Sequence, residues 1–160
     1  MASLGAGWGI VCAVLLDTSL LCWGDNFAGQ LGRGTTTGPE TCGSGSSGWA
    51  CSTVPVPVLN SDGTGPLTGV RQVAMQGHGV VCAAMTDGTA RCWGEEYDSE
   101  LGIGQGPLPA TCSRSWHPAT CPLPVPVVGP DGTGVLTGVS KVTVGDTFVC
   151  ALVEGGSVYC

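Results

Sequence analysis

The residues in this 160-residue chain with the most chemistry to offer are its ten cysteines. They stand at Cys12, Cys22, Cys42, Cys51, Cys82, Cys92, Cys112, Cys121, Cys150 and Cys160, which makes five short-range pairs with none left over. Such pairs can bond to one another or ligate a metal, and a single thiolate can act as a nucleophile. Structural zinc usually wants ligands roughly two to four residues apart on a tight knuckle. Here the partners are nine or ten apart, and His78 and His117 are the only histidines. Disulfides 12/22, 42/51, 82/92, 112/121 and 150/160 are therefore the preferred reading, with zinc as the competing one. Disulfides persist only in an oxidising compartment, so the expected location is extracellular or in the cell envelope. With no cysteine to spare and no repeated partner for either histidine, no acyl-transfer constellation assembles. No catalytic residue is assigned, and an enzyme is not expected.

Hairpins must position these cysteines. The stretch Val80 to Gly94 has two apolar runs, a cysteine on each, around Asp87-Gly88. A three-residue loop over Thr86, Asp87 and Gly88, with Gly88 in the left-handed position, pairs residues i and j when i + j = 174. Cys82 then faces Cys92, and directly opposed residues lie roughly 4.5–5.5 Å apart, within reach of a disulfide. The same pattern occurs from Val11 to Gly24, around a tip at Asp17, and from Val149 to Cys160. The hairpin cysteines recur at offsets of 70 and 68, and the pair 42/51 recurs as 112/121 at an offset of 70. Self-similarity at a fixed period identifies a repeat architecture.

The rest of the repeat is short strands and turns, which places the chain in the all-β class. Thr68 to Met75 predicts a first strand with Val70 and Val73 inward. The cysteine hairpin supplies the second and third strands. A turn-rich segment follows at Asp25–Gly34, with its second copy at Glu95–Gly104, and then comes the disulfide-closed insert. Pro55–Val58 and Pro124–Val127 predict an extended outer strand, since proline cannot donate within a central ladder. Asp62-Gly63-Thr64-Gly65 and Asp131-Gly132-Thr133-Gly134 turn the chain into the next repeat. Both faces of the hairpin are apolar: Cys12, Val14, Leu20 and Cys22 on one, Val11, Ala13, Leu21 and Trp23 on the other. A sheet apolar on both faces must be sandwiched between others, as in a propeller or a sheet-stacking solenoid. The expected division is 1–67 as a partial blade plus insert, 68–136 as a full repeat with insert, and 137–160 as the start of the next blade.

From Cys12 to Thr35 the string Cys-Ala-Val-Leu-Leu-Asp, Ser-Leu-Leu-Cys-Trp-Gly-Asp-Asn, Gly-Gln-Leu-Gly and Gly-Thr closely resembles the repeat of the regulator of chromosome condensation family, in its cysteine-containing bacterial form. The resemblance covers the chain apart from the inserts. It implies a seven-bladed β-propeller with four antiparallel strands per blade, of which residues 1–160 would be a fragment. The repeat is longer here than is usual for the family, and the inserts account for most of the excess. Ile10, Val80 and Phe148 stand where the family often has histidine, and Ser99-Glu100 replaces Gly29-Gln30. The family includes a guanine-nucleotide exchange factor and an extracellular enzyme inhibitor, so the fold does not fix the role. Disulfides argue against the compartment in which small GTPases are exchanged.

The formal charge of −7 argues against a nucleic-acid surface, which needs clustered cations, and no nucleic-acid partner is expected. Arg33, Arg71, Arg91, Arg114 and Lys141 are scattered. Net acidity serves solubility. Met1–Leu16 is apolar enough to suggest a leader, but Gly7 to Cys12 aligns at the repeat offset with Gly77 to Cys82 and reads as structure. The expectation is a piece of a longer exported chain. No apolar run approaches the roughly 18 residues of a spanning helix, so membrane insertion is not expected. Glu95, Glu96, Asp98 and Glu100 could hold a hard cation. Their first copy keeps only Asp25, so a solvated acidic loop is expected, with no metal and no cofactor. His78, beside Gly77 and Gly79, is read as a local structural residue.

The inserts keep their cysteines, vary everything between them, and carry one tryptophan each. A rigid, variable loop bearing an aromatic suits recognition. Trp49, Arg114, Trp116 and His117 are accordingly the candidate contacts for an unidentified protein partner. In the competing reading each tryptophan folds back over its own disulfide and blade. The expected function is a secreted, disulfide-stabilised protein-interaction module. The alternative is a structural repeat that associates through open sheet edges into a ring or filament. A carbohydrate binder or secreted enzyme, with Trp49 and Trp116 stacking on sugars, ranks last.

Overall fold

In the computed structural model, residues 3–44, 48–76, 79–97, 100–113 and 119–160 are described, and all regular structure among them is β-strand. Three antiparallel sheets follow one another along the chain. The first contains β1 (Ser3–Gly7), β2 (Ile10–Val14), β3 (Leu20–Asp25), β4 (Glu40–Cys42) and β5 (Trp49–Pro57), in the order β1-β2-β3-β5-β4. The second contains β6 (Val70–Gln76), β7 (Val80–Met85), β8 (Ala90–Glu96) and β9 (Ala119–Pro126), in that order. The third contains β10 (Val139–Val144), β11 (Val149–Val153) and β12 (Val158–Tyr159). The segment 1–67, expected to hold part of a blade and its insert, thus carries five strands. Two were not anticipated: β1, whose Ser-Leu-Gly-Ala-Gly sequence has no β-branched residue to signal it, and β4, which belongs to the insert.

The hairpins have the register that their turns dictate. Val80 pairs with Gly94, Cys82 with Cys92 and Ala84 with Ala90, all summing to 174. Cys12 faces Cys22 and Ala151 faces Tyr159 by the same rule. Each hairpin disulfide spans opposed residues whose Cα atoms lie 4.1 Å apart. The inserts are also closed by disulfides, Cys42–Cys51 and Cys112–Cys121, so all ten cysteines are bonded and none is free for zinc.

Gly88 occupies the left-handed tip position at φ 80°, whereas the first copy places Thr18 there at φ 68°. A β-branched residue in that region costs on the order of 1–3 kcal/mol. Its surroundings explain why it is held: Thr18 Oγ1 donates to the Asp17 carbonyl at 2.5 Å and accepts from the Gly69 amide at 3.0 Å. The Thr18 carbonyl also accepts from the Val70 amide, 3.0 Å away, tying the tip to the next sheet.

The side-chain alternation of period two divides each sheet between two interfaces. Ile10, Cys12, Val14, Leu20 and Cys22 meet Val73, Met75, Val81, Ala83 and Trp93 between the first and second sheets. The other face of the second sheet, with Val80, Cys82, Ala84, Ala90 and Cys92, meets Val139, Val142, Val144 and Ala151 of the third. The first two hairpin disulfides thus lie on the face turned toward the following sheet. Gln72 adds a polar clasp across the second gap. Its Nε2 donates to the Val142 carbonyl and its Oε1 accepts from the Val142 amide, both at 3.0 Å, as a further rung of backbone would. The first sheet turns Val11, Leu21 and Trp23 away from the second, and these stay half-buried.

The turns facing away from the inserts share one device. Asp17, Asp62, Asp87 and Asp131 each accept from the backbone amide and side-chain hydroxyl of the residue two positions on. The hydroxyls of Ser19, Thr64 and Thr89, then their amides, hold the first three carboxyls below the ordinary aspartate range; for Asp131 the Thr133 amide is the larger cause. A depressed folded-state pKa stabilises the fold fully above the unfolded value, about 3.9, and the gain is lost as pH falls through the folded value. Stability limited by these turns is therefore expected to be level above about pH 5 and to decline below about pH 4. Replacing all four by asparagine should flatten that decline. Urea unfolding at pH 7 and pH 3 checks it, and an equal acid loss in both chains would contradict the assignment.

Candidate protein-binding rim

The register places three separate segments at one end of the first sheet. The β1–β2 turn carries Trp8, β3 ends at Asp25, and β5 begins at Trp49. The Asp25 amide donates to the Gly9 carbonyl at 2.8 Å, closing the first two together. Trp49 Nε1 donates to Asp25 Oδ1 at 2.6 Å, which fastens the third to the second. The Trp49 ring lies over Gly43, where an added Cβ would come within 2.6 Å of it. It remains 44% exposed, anchored along one edge and open to solvent on the other. Trp8, at 70% exposure, and Phe27, just past Asp25, put two more aromatic surfaces on the same rim.

The insert is an extension of the outer strand. Thr41 pairs with Ala50 and Cys42 with Trp49, so β4 and β5 form a hairpin whose disulfide joins diagonal positions, with Cα atoms 5.8 Å apart. Glu40 ties this hairpin down by accepting from Thr53 Oγ1 at 2.6 Å. In the second copy Ser113 and Thr120 exchange backbone hydrogen bonds of 2.8 and 2.9 Å, which sets Cys112 directly opposite Cys121 at a Cα separation of 4.1 Å. Equal cysteine spacing therefore closes the two inserts in different registers. Arg114, Trp116 and His117 lie outside the described residues, as do His78 and Asp98.

Behind the rim, the turn-rich segment is held by buried polar side chains. Asn26 Oδ1 accepts from the Leu31 amide at 2.9 Å, and its Nδ2 donates to the carbonyls of Thr35 and Thr37 at 3.0 and 2.7 Å. Glu96 occupies the equivalent place, with Oε2 accepting from the Leu101 amide at 2.9 Å. The acidic loop expected to be solvated therefore has one member, Glu96, buried as a turn former. A carboxylate oxygen can replace the amide oxygen of Asn26, which the count of charges along the loop does not reveal. The Gly34 amide donates to the Pro122 carbonyl at 2.8 Å, locking this loop onto the next outer strand. The rim therefore rests on rigid supports.

Trp8, Phe27 and, in the second copy, Tyr97 were missed as candidate contacts. Their signal was the repeat itself, since Phe27 and Tyr97 are equivalent aromatics in a turn with no core to fill, and both are exposed.

No protein-family model matches the chain, and no curated protein matches it. Solved structures do. The structure of Kap60 bound to yeast RCC1 (Prp20) matches with a TM-score of 0.66 at 20% identity, over 98% of this chain and 31% of the other. Saccharomyces cerevisiae Prp20p, studied for its binding to Gsp1p and histones, gives 0.68 at 21% identity, over 98% and 32%. Human WBSCR16 gives 0.63 at 20% identity, over 98% and 31%. At these identities the likeness establishes the fold: the stacked sheets are blades of an RCC1-type β-propeller, as the Cys12–Thr35 resemblance implied. The chain spans about a third of the length of these structures.

Proposed function

We propose that this chain is part of a secreted, disulfide-clasped β-propeller that binds a protein partner through the rim bearing Trp8, Phe27, Trp49 and Tyr97. The observation that carries the reading is the convergence of these aromatics, from separate turns, onto one end of the stacked sheets. Solvent-facing aromatics on rigid supports are the residues that dominate protein interfaces. The five disulfides suit an exported chain. No helix among the described residues is long and apolar enough to cross a membrane. Propellers of this fold meet proteins elsewhere: Kap60 is bound to yeast RCC1, and Gsp1p and histones are bound by Prp20p. Exchange on a GTPase does not carry over to an oxidising compartment, but a rim that docks onto a protein does.

The test immobilises the chain and offers it the extracellular and envelope proteins of its source cell. Trp49→Ala together with Phe27→Ala is expected to weaken retention of a specific protein roughly 30-fold or more, the loss of a hot spot. Leu16→Ser, at an 82% exposed position on the opposite end, should leave retention unchanged. Equal retention by rim variant, control and parent would contradict the proposal.

A further inference from the structure

The disulfides of the first two blades are not equally placed. Cys12 and Cys22 lie in the apolar core between the first and second sheets, and Cys82 and Cys92 in the core between the second and third. Cys121 belongs to that second core, and Cys112 packs against it. The Cys42–Cys51 bond stands outside both cores. Its two ends also differ. Cys51 has no exposed surface, whereas Cys42 is partly exposed on β4, the outermost strand of its sheet, between the exposed residues Thr41 and Gly43. Apart from the disulfide, β4 is held by three pairings with β5 and by the hydrogen bond from Thr53 Oγ1 to Glu40.

We infer that Cys42 Sγ is a site of thiol–disulfide exchange, open to a thiol reductant. The attacking thiolate forms a bond to Cys42 Sγ while the Cys42–Cys51 bond breaks, and the electron pair leaves on Cys51, which takes a proton from solvent. A second thiolate then attacks the reductant's sulfur in the mixed disulfide, and Cys42 leaves and is protonated in turn. Two thiols become one disulfide, and one disulfide of the chain becomes two thiols. Such exchange is governed by access to the sulfur attacked. Cys42 gives that access, and opening its bond takes no side chain out of either core. Cys42 pairs with Trp49 across the insert, and Gly43 backs the Trp49 ring, so the strand on which the indole rests is freed when the bond opens. Control of partner binding by this bond rests on the rim proposed above.

The full oxidised chain is incubated with glutathione, quenched with acid, unfolded, alkylated with N-ethylmaleimide and mapped by mass spectrometry. Glutathione is expected on Cys42 and N-ethylmaleimide on Cys51. The Cys42–Cys51 bond should open about tenfold or more faster than Cys12–Cys22, Cys82–Cys92 and Cys112–Cys121, as befits local rather than global opening. Equal rates for the four bonds, or glutathione on Cys51 in place of Cys42, would overturn the site. At the dithiothreitol concentration that opens this bond alone, hydrogen exchange at the Trp49 indole N–H should quicken about fivefold or more, while that at Trp93 stays unchanged. An unchanged Trp49 rate would overturn the coupling between the bond and the ring. In the retention assay above, Cys42→Ser with Cys51→Ala should bind about tenfold more weakly than the parent. Parental retention by this variant, with loss in the Trp49 and Phe27 variant, would overturn the control and leave the rim standing. Parental retention by both variants would overturn the rim and with it the control, while glutathione on Cys42 would still uphold the exchange site.

Discussion

Reducing its disulfides should cost this chain its cooperative fold. Each bond closes a loop of nine or ten residues, and restricting the unfolded chain to a loop of that size stabilises the native state by about 3 kcal/mol. Five such bonds together match the whole stability of an ordinary domain, about 5–15 kcal/mol. The effect is reinforced in the core, where Cys12, Cys22, Cys82, Cys92 and Cys121 are fully buried between sheets. Circular dichroism during urea unfolding, with and without dithiothreitol, measures this. The oxidised chain should unfold in a single steep transition and the reduced chain should show none. Replacing Cys82 and Cys92 together by alanine should lower stability by about 3 kcal/mol while leaving the transition cooperative. Unfolding curves that coincide under oxidising and reducing conditions would contradict this.

Trp93→Ala is expected to destabilise the fold by about 3–5 kcal/mol, the range for truncating a buried tryptophan and leaving a cavity behind it. The indole has no exposed surface, joins the first apolar core and donates its only proton to the Gln30 carbonyl. Removing it therefore opens a gap between two sheets and orphans an acceptor. Trp23 stands at the equivalent place in the same Cys-Trp-Gly motif, on the face of the first sheet turned away from the second, and is less completely buried. Trp23→Ala should cost less by comparison, in line with its smaller loss of buried apolar area. Denaturant midpoints of the two variants make the comparison, and equal losses would show that the sheets do not stack in this order.

Much of the fold was legible because one turn residue fixes a hairpin register. Once Gly88 takes the left-handed tip position, the partner of every residue from Val80 to Gly94 follows, and the cysteines must oppose each other. Alternation of apolar side chains on both faces then requires stacking. Local spacing was weaker where a role depends on tertiary placement. Ser3–Gly7 became an edge strand whose glycines let it approach Met75 and Val73, a contact made from the far side of a sheet interface. Glu96 is indistinguishable along the chain from the other acidic residues of its loop, and the turn it closes at Leu101 goes with its burial. The rim was half visible. Trp49 was singled out within its insert, but Trp8 and Phe27 join it only when the β1–β2 turn and the end of β3 come together at Gly9 and Asp25.

Non-reducing peptide mapping by mass spectrometry puts the central claim to its most direct test, because every sheet of the stack is held by a bond of its own. The expected result is five local links and no others: Cys12 to Cys22, Cys42 to Cys51, Cys82 to Cys92, Cys112 to Cys121 and Cys150 to Cys160. A link between repeats, such as Cys22 to Cys82, or free thiols throughout the purified chain, would contradict it.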